Sequence, residues 1–137
     1  LVGGYAVALH GAVRGTVDID CVIEHTESTF VVCEAALRSI GLVPRLPVSA
    51  REVFQFREEY ITRRNLIAWS FYNPTNPIEV VDIIITHNLA ALKAVSLRNG
   101  LEKVRVLSLP DLISMKRTSG RPQDLEDVKM LESILGK

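Results

Sequence analysis

The sequence predicts an α/β (α+β) domain: one mixed β-sheet with helices packed mainly on one face. Three observations carry this. Residues 65–72 (NLIAWSFY) and 78–86 (IEVVDIIIT) are β-branched and aromatic runs joined by NPTNP, turn chemistry, so they form a hairpin. Residues 17–23 (VDIDCVI) alternate, which places Asp18 and Asp20 on one face of a strand and Val17, Ile19, Cys21 and Ile23 on the other. Around these strands, apolar residues recur at the three- and four-residue steps of helices.

In chain order, a Gly-Gly turn at Gly3 and Gly4 opens a short helix carrying His10, a residue expected to be packed or hydrogen-bonded. After the Asp18/Asp20 strand, Thr26 or Ser28 caps a helix whose inward stripe is Phe30, Cys33, Leu37 and Ile40, and Gly41 ends it. Residues 42–48, interrupted twice by proline, form an edge strand or a plain connection. Ser49 and Glu52 make a capping box that opens one helix to about Arg63, with Val53, Phe56 and Tyr60 inward and a charged outer face. In the following hairpin, residues 78–86 are apolar on both faces except for Glu79 and Asp82, the pattern of a central strand covered on both sides. Residues 90–98 and 102–108 suggest a second hairpin across Asn99-Gly100, the preferred type I′ dipeptide, although residues 88–94 also suit a helix. Ser108 caps a helix to about Thr118, ended by Gly120. Pro122 starts the last helix, with Leu125, Val128, Leu131 and Leu135 as its buried stripe.

A chain of 137 residues is read as a single domain, 1–137, large enough to bury a core without staples. It is 47% hydrophobic, and 16 basic residues balance 16 acidic ones. This excludes a disordered chain and gives no global attraction to nucleic acid or membrane, so a polyanion would have to be met by a local patch. Cys21 and Cys33 have apolar neighbours and are expected to be reduced core thiols, which predicts a cytoplasmic protein. No run reaches the roughly 18 apolar residues of a membrane span. The chain starts at Leu1 without Met and enters its Gly-Gly turn at once, so a truncated N-terminus, lacking an upstream helix or strand, is expected.

The chemistry concentrates in residues 1–24. Two like charges on one strand face are costly unless a cation lies between them, and hard Mg²⁺ takes carboxylate oxygens and then the phosphate oxygens of a nucleotide. Gly3 and Gly4 lack Cβ atoms, so backbone there can approach a phosphate, and the helix that follows aims free N–H groups at it. Asp82, in the middle of IEVVDIII, is out of place as packing, and the alternative to a metal ligand is a structural carboxylate that accepts hydrogen bonds from an arginine or from loop amides. There is no zinc-ligand constellation, no Ser-His-Asp arrangement, no Walker loop, and no full G-x-G-x-x-G for a Rossmann site.

The run Gly3, Gly4, Ala6, Gly11, Arg14, Thr16, Asp18 and Asp20 resembles the active-site core of the nucleotidyltransferase superfamily, the polymerase-beta-like fold. Within it, the run is most similar to the small prokaryotic enzymes of toxin–antitoxin and abortive-infection systems. The closing run from Asp111 to Asp124 (DLISMKRTSGRPQD) also looks like these proteins, whereas residues 42–64 match no motif. The resemblance implies a nucleotidyltransferase-like mixed sheet and Mg²⁺ (or Mn²⁺) held by Asp18, Asp20 and Asp82. It implies an NTP whose triphosphate lies against Gly3 and Gly4, with Thr16 in the motif and Lys116 approaching the phosphates. Arg14 pairs with a carboxylate or reaches phosphate; Arg121 and Asp124, three apart at a helix start, form a local pair that fixes the turn presenting Lys116. Lys116 is placed on the polar side of its helix, where truncation costs only about 0.5 kcal/mol. The implied reaction moves an NMP from an NTP to a hydroxyl acceptor, whether protein, tRNA or small molecule, with a cognate partner protein as a further expectation and no membrane. The alternative is a non-catalytic module of the same fold that acts through such a partner.

Overall fold

The computed structural model describes residues 1–12, 15 and 17–136. They form a mixed α+β structure of two compact units, one of residues 17–91 and one of residues 1–16 with 92–137.

The continuous unit holds a four-stranded mixed sheet in the order β1-β4-β3-β2, where β1 is Ile19–Cys21, β2 is Val43–Pro44, β3 is Ala68–Asn73 and β4 is Asn76–Ile84. β1 runs parallel to β4, whereas β3 is antiparallel to both β4 and β2. Helix α2 (Glu27–Ser39) is capped by Thr26, whose side chain accepts from the Thr29 N–H, and Gly41 follows it with φ +90°, where a side chain would be strained. Helix α3 (Ala50–Gln55) opens with the Ser49/Glu52 capping box. The expected single helix to Arg63 breaks at Phe56, and α4 (Arg57–Arg64) continues to a left-handed Asn65. One face of the sheet is covered by helices: Phe30 stacks on Trp69 at 5.8 Å, and Trp69 meets Phe71 edge-on at 4.6 Å. Leu42, Ala50, Val53, Ile83 and Ile85 complete that core, with Cys21, Cys33, Leu37 and Tyr60 among the side chains packed at its rim.

Three side chains expected inward here do not behave so. Ile40 and Phe56 are exposed, each lying at a helix end where the helical repeat no longer predicts direction. β4 is central in strand order, as expected, but its start is open, with Ile78 at 69% exposure.

The discontinuous unit begins with Leu1 hydrogen-bonded along a neighbouring strand: its N-terminus donates to the Arg105 carbonyl at 2.7 Å and its carbonyl accepts from Leu107 N–H at 2.9 Å. Helix α1 (Gly3–Leu9) starts at Gly3 with φ +68°, a conformation that glycine adopts without penalty. His10 Nε2 lies 2.8 Å from the Leu107 carbonyl, a packed and hydrogen-bonded histidine as expected. After a 3₁₀ turn at Leu89–Ala91, the second hairpin pairs β5 (Ala94–Asn99) with β6 (Glu102–Leu107). Its loop is Gly100-Leu101 rather than Asn99-Gly100: Asn99 is paired with Glu102, Gly100 has φ +67°, and Leu101 is not left-handed, the type II′ pattern of glycine first. Helix α5 (Leu109–Ser119) is capped by Ser108 and ended by Gly120, and α6 (Pro122–Leu135) packs against it. Val128 and Leu131 are buried in α6 as expected, but Leu125 and Leu135 are exposed, and the buried positions beside them are Asp124 and Asp127.

Candidate functional site

The sheet brings two of the predicted carboxylates side by side. In the parallel β1/β4 pair, Asp20 is in register with Asp82. Neighbouring strands lie about 4.8 Å apart and residues in register share a face. On the far side of β4, Ser70 of β3 is in register with Asp82 and its Oγ donates to Asp82 Oδ1 at 2.6 Å. Asp20, Asp82 and Ser70 thus form one polar row across three strands. The next row, Cys21, Ile83 and Trp69, belongs to the helix-covered core. The alternation that places the aspartates away from that core therefore follows directly from the two-residue repeat of the strands.

Asp18 is placed differently from expectation. It lies in a bend ahead of β1, which begins only at Ile19, and it is exposed. Among the described residues, no group of three or more His, Cys, Asp or Glu side chains is gathered as a metal cage. Two carboxylates at one register, one of them oriented by a serine hydroxyl, are a donor set suited to a hard divalent cation, which prefers carboxylate oxygens and keeps several waters. The residues fit such an ion at Asp20 and Asp82.

Gly3, Gly4, Lys116, Arg121 and Asp124 belong to the other unit. Gly4 is buried and Gly3 half-buried at the start of α1. Lys116 is not on a solvated face: only 7% exposed, it places Nζ 3.2 Å from Asp124 Oδ1 and 3.0 Å from Asp127 Oδ2, both residues being 1% exposed. The expected Arg121–Asp124 pair is present, with Arg121 Nε and backbone N–H both donating to Asp124 Oδ2, at 2.8 and 3.2 Å. Burial by itself raises the Asp124 carboxyl. The hydrogen bonds and charges of Arg121 and Lys116 outweigh it and hold the group below the usual carboxylate range. Arg14 and Thr16 lie outside the described residues.

Cys21 and Cys33 are both free thiols. Burial pushes Cys21 up, with the Asp20 and Asp82 charges acting in the same direction, and burial pushes Cys33 up to about 11. Neither is a thiolate nucleophile near neutral pH.

Two residues in these arrangements were not singled out from the sequence. Ser70 stands between Trp69 and Phe71, so its polarity in an apolar run was its signal; Asp127 stands three residues after Asp124, one helical step along the same face. No protein-family model and no curated protein matches the chain.

Proposed function

We propose that the chain is a metal-dependent nucleotidyltransferase that moves a nucleoside monophosphate from an NTP to a hydroxyl acceptor and releases pyrophosphate. The observation that carries this reading is the register of Asp20 with Asp82, two carboxylates from separate parts of the chain placed together on one sheet face. Two carboxylates at one register suit a hard divalent cation, which takes carboxylate oxygens and then the phosphate oxygens of a nucleotide. Asp20 and Asp82, with Asp18 from the adjoining bend, would hold Mg²⁺ or Mn²⁺. That ion would supply charge neutralisation at the transferring phosphoryl group and lower the pKa of an attacking hydroxyl. The chain's own contribution is positioning: Ser70 holds Oδ1 of Asp82, leaving Oδ2 for the ion. Gly3, Gly4, Arg14 and Thr16 are assigned to the triphosphate on the motif alone.

Lys116 is assigned to the fold of its helical hairpin, because its ammonium is already engaged by two buried carboxylates. The acceptor is a protein side chain, the 3′ end of a tRNA or a small molecule, and a cognate partner protein belongs to the same reading. Two free thiols suit a cytoplasmic setting. Among the described residues, no helix is long and apolar enough to cross a membrane. The second reading, a non-catalytic module acting through a partner, draws on one observation, the position of Asp18 outside β1.

Asp82→Asn tests the proposal. Asparagine retains an oxygen for the Ser70 hydroxyl, and the loss of charge relieves repulsion with Asp20, so thermal melts without metal should be unchanged or higher. Incubation with each labelled NTP, Mg²⁺ or Mn²⁺ and a cell extract should label an acceptor with the wild type and none with the variant. An Asp82→Asn protein that still transfers nucleotide would eliminate the carboxylate pair as the catalytic centre. Absence of any labelling by the wild type would leave the partner-module reading in its place.

A further inference from the structure

The β5–β6 ribbon carries a charge arrangement that its own packing does not explain. Arg98 is directly opposite Lys103, and Arg105 is opposite Ser96. Positions two apart on a strand share a face, so Ser96, Arg98, Lys103 and Arg105 make one exposed patch. Directly opposed like charges destabilise a β-pair, and among the described residues none of the three cations has an ion-pair partner. Glu102, the nearest acidic residue in sequence, is paired with Asn99 and therefore points to the other face. At the end of the ribbon, Leu101 is completely exposed.

We infer that this ribbon face is a docking surface for a single strand of RNA. The charge sign selects a polyanion, and in a chain whose net charge is zero the attraction is local to the patch. Its dimensions select one strand: two cations face each other across the ribbon at about 5 Å, and the third lies one two-residue repeat along it, roughly 7 Å away. Three cations in that space neutralise consecutive phosphates of one chain, whereas a duplex footprint needs many more contacts on two backbones. Leu101 offers an apolar contact to an unstacked base, which a single strand presents and a paired one hides. Ser96, within the patch, gives the hydroxyl partner that a ribose 2′-hydroxyl can use, which favours RNA over DNA. This inference does not rest on the nucleotidyltransferase reading.

The test is fluorescence anisotropy of a labelled single-stranded RNA of mixed sequence, titrated with the full chain at several salt concentrations. Wild type should bind with a slope of log K against log salt of about −2, the release expected for three phosphates. The triple variant Arg98→Gln/Lys103→Gln/Arg105→Gln should lose about tenfold or more in affinity at low salt and nearly all of that slope. It should melt no earlier than wild type, because opposed like charges are removed. Leu101→Ser should weaken binding and leave the slope unchanged. The control Arg63→Gln/Arg64→Gln, on α4, should bind as wild type does. Equal losses in the ribbon and α4 variants, equal affinity for the matching DNA strand, or co-sedimentation with phosphatidylserine vesicles in place of RNA binding would each overturn the inference. So would a wild type that does not bind RNA.

Discussion

A lysine ammonium within about 3 Å of two carboxylates, all three groups nearly inaccessible, is a different object from a surface lysine. Lys116→Met leaves Asp124 and Asp127 buried without that cation. Loss of one partner from a buried ionic group costs about 3–5 kcal/mol, far above the small cost that a solvated position predicts. Urea unfolding should show this loss, and Lys116→Met combined with Asp127→Asn should recover part of it. Asp124 also sets a pH dependence. Its carboxyl is held below its ordinary value of 3.8, so the unfolded chain takes up the proton first. The resulting stability is fully present above that value and is lost as pH falls through the lower, folded value. Urea midpoints measured down through pH 4 should fall, and Asp124→Asn, already destabilised, should show a flatter profile. None of this was legible at Lys116 itself, because its partners lie eight and eleven positions ahead and reach it only after the chain reverses at Gly120. The Arg121–Asp124 pair was legible, because it is local.

Whole elements were read well where a local rule decides them. The capping box at Ser49, the glycine ends at Gly41 and Gly120, and the hairpin flanking residues 74–75 all follow from backbone chemistry at named residues. Faces were read less well. In α6 a purely hydrophobic count chose Leu125 and Leu135, but the buried side also takes Asp124 and Asp127 because they meet Lys116. The partner of Asp82 was illegible for another reason. A register irregularity between Tyr72 and Asn73 shifts the pairing, so counting back from the turn does not lead from Asp82 to Ser70. Gly120 gives an element-scale test. It ends α5 at φ +65°, and an added Cβ would lie 3.5 Å from the Arg117 carbonyl oxygen. Gly120→Ala should therefore cost about 1–2 kcal/mol through the left-handed backbone alone. A D-alanine at the same position, introduced by chemical ligation, should restore the stability, since it suits positive φ. Equal destabilisation by both enantiomers would mean that space, not backbone conformation, is the constraint.

At the scale of the molecule, residues 17–91 form a continuous unit with their own aromatic core, and the chain's single tryptophan lies at its centre. Trp69 is fully buried, stacked on Phe30 and edge-on to Phe71. A peptide of residues 17–91 should therefore fold alone, with blue-shifted tryptophan emission and a near-ultraviolet circular dichroism signal that urea removes cooperatively. Emission at the wavelength of exposed tryptophan would show that this core depends on the rest of the chain. The same reporter reads the pH response of His25, whose ring contacts Phe30 at a centroid distance of 5.9 Å. Its Nε2 is buried without a hydrogen-bond partner. Burial lowers the His25 pKa from 6.5, and the Arg57 charge lowers it further, against weaker opposing contributions that include a hydrogen bond to the His87 backbone. The native ring thus resists the proton that the unfolded chain accepts at about 6.5. Its stability contribution is complete above that pH and is lost as pH falls through the lower, folded value. Urea midpoints followed by Trp69 emission should drop between pH 7.5 and 5.5, on the order of the histidine range. His25→Asn, which carries no titrating group, should flatten the profile in that interval while leaving the acid loss near pH 4 intact. A profile that keeps its slope in His25→Asn would assign the response to a different group.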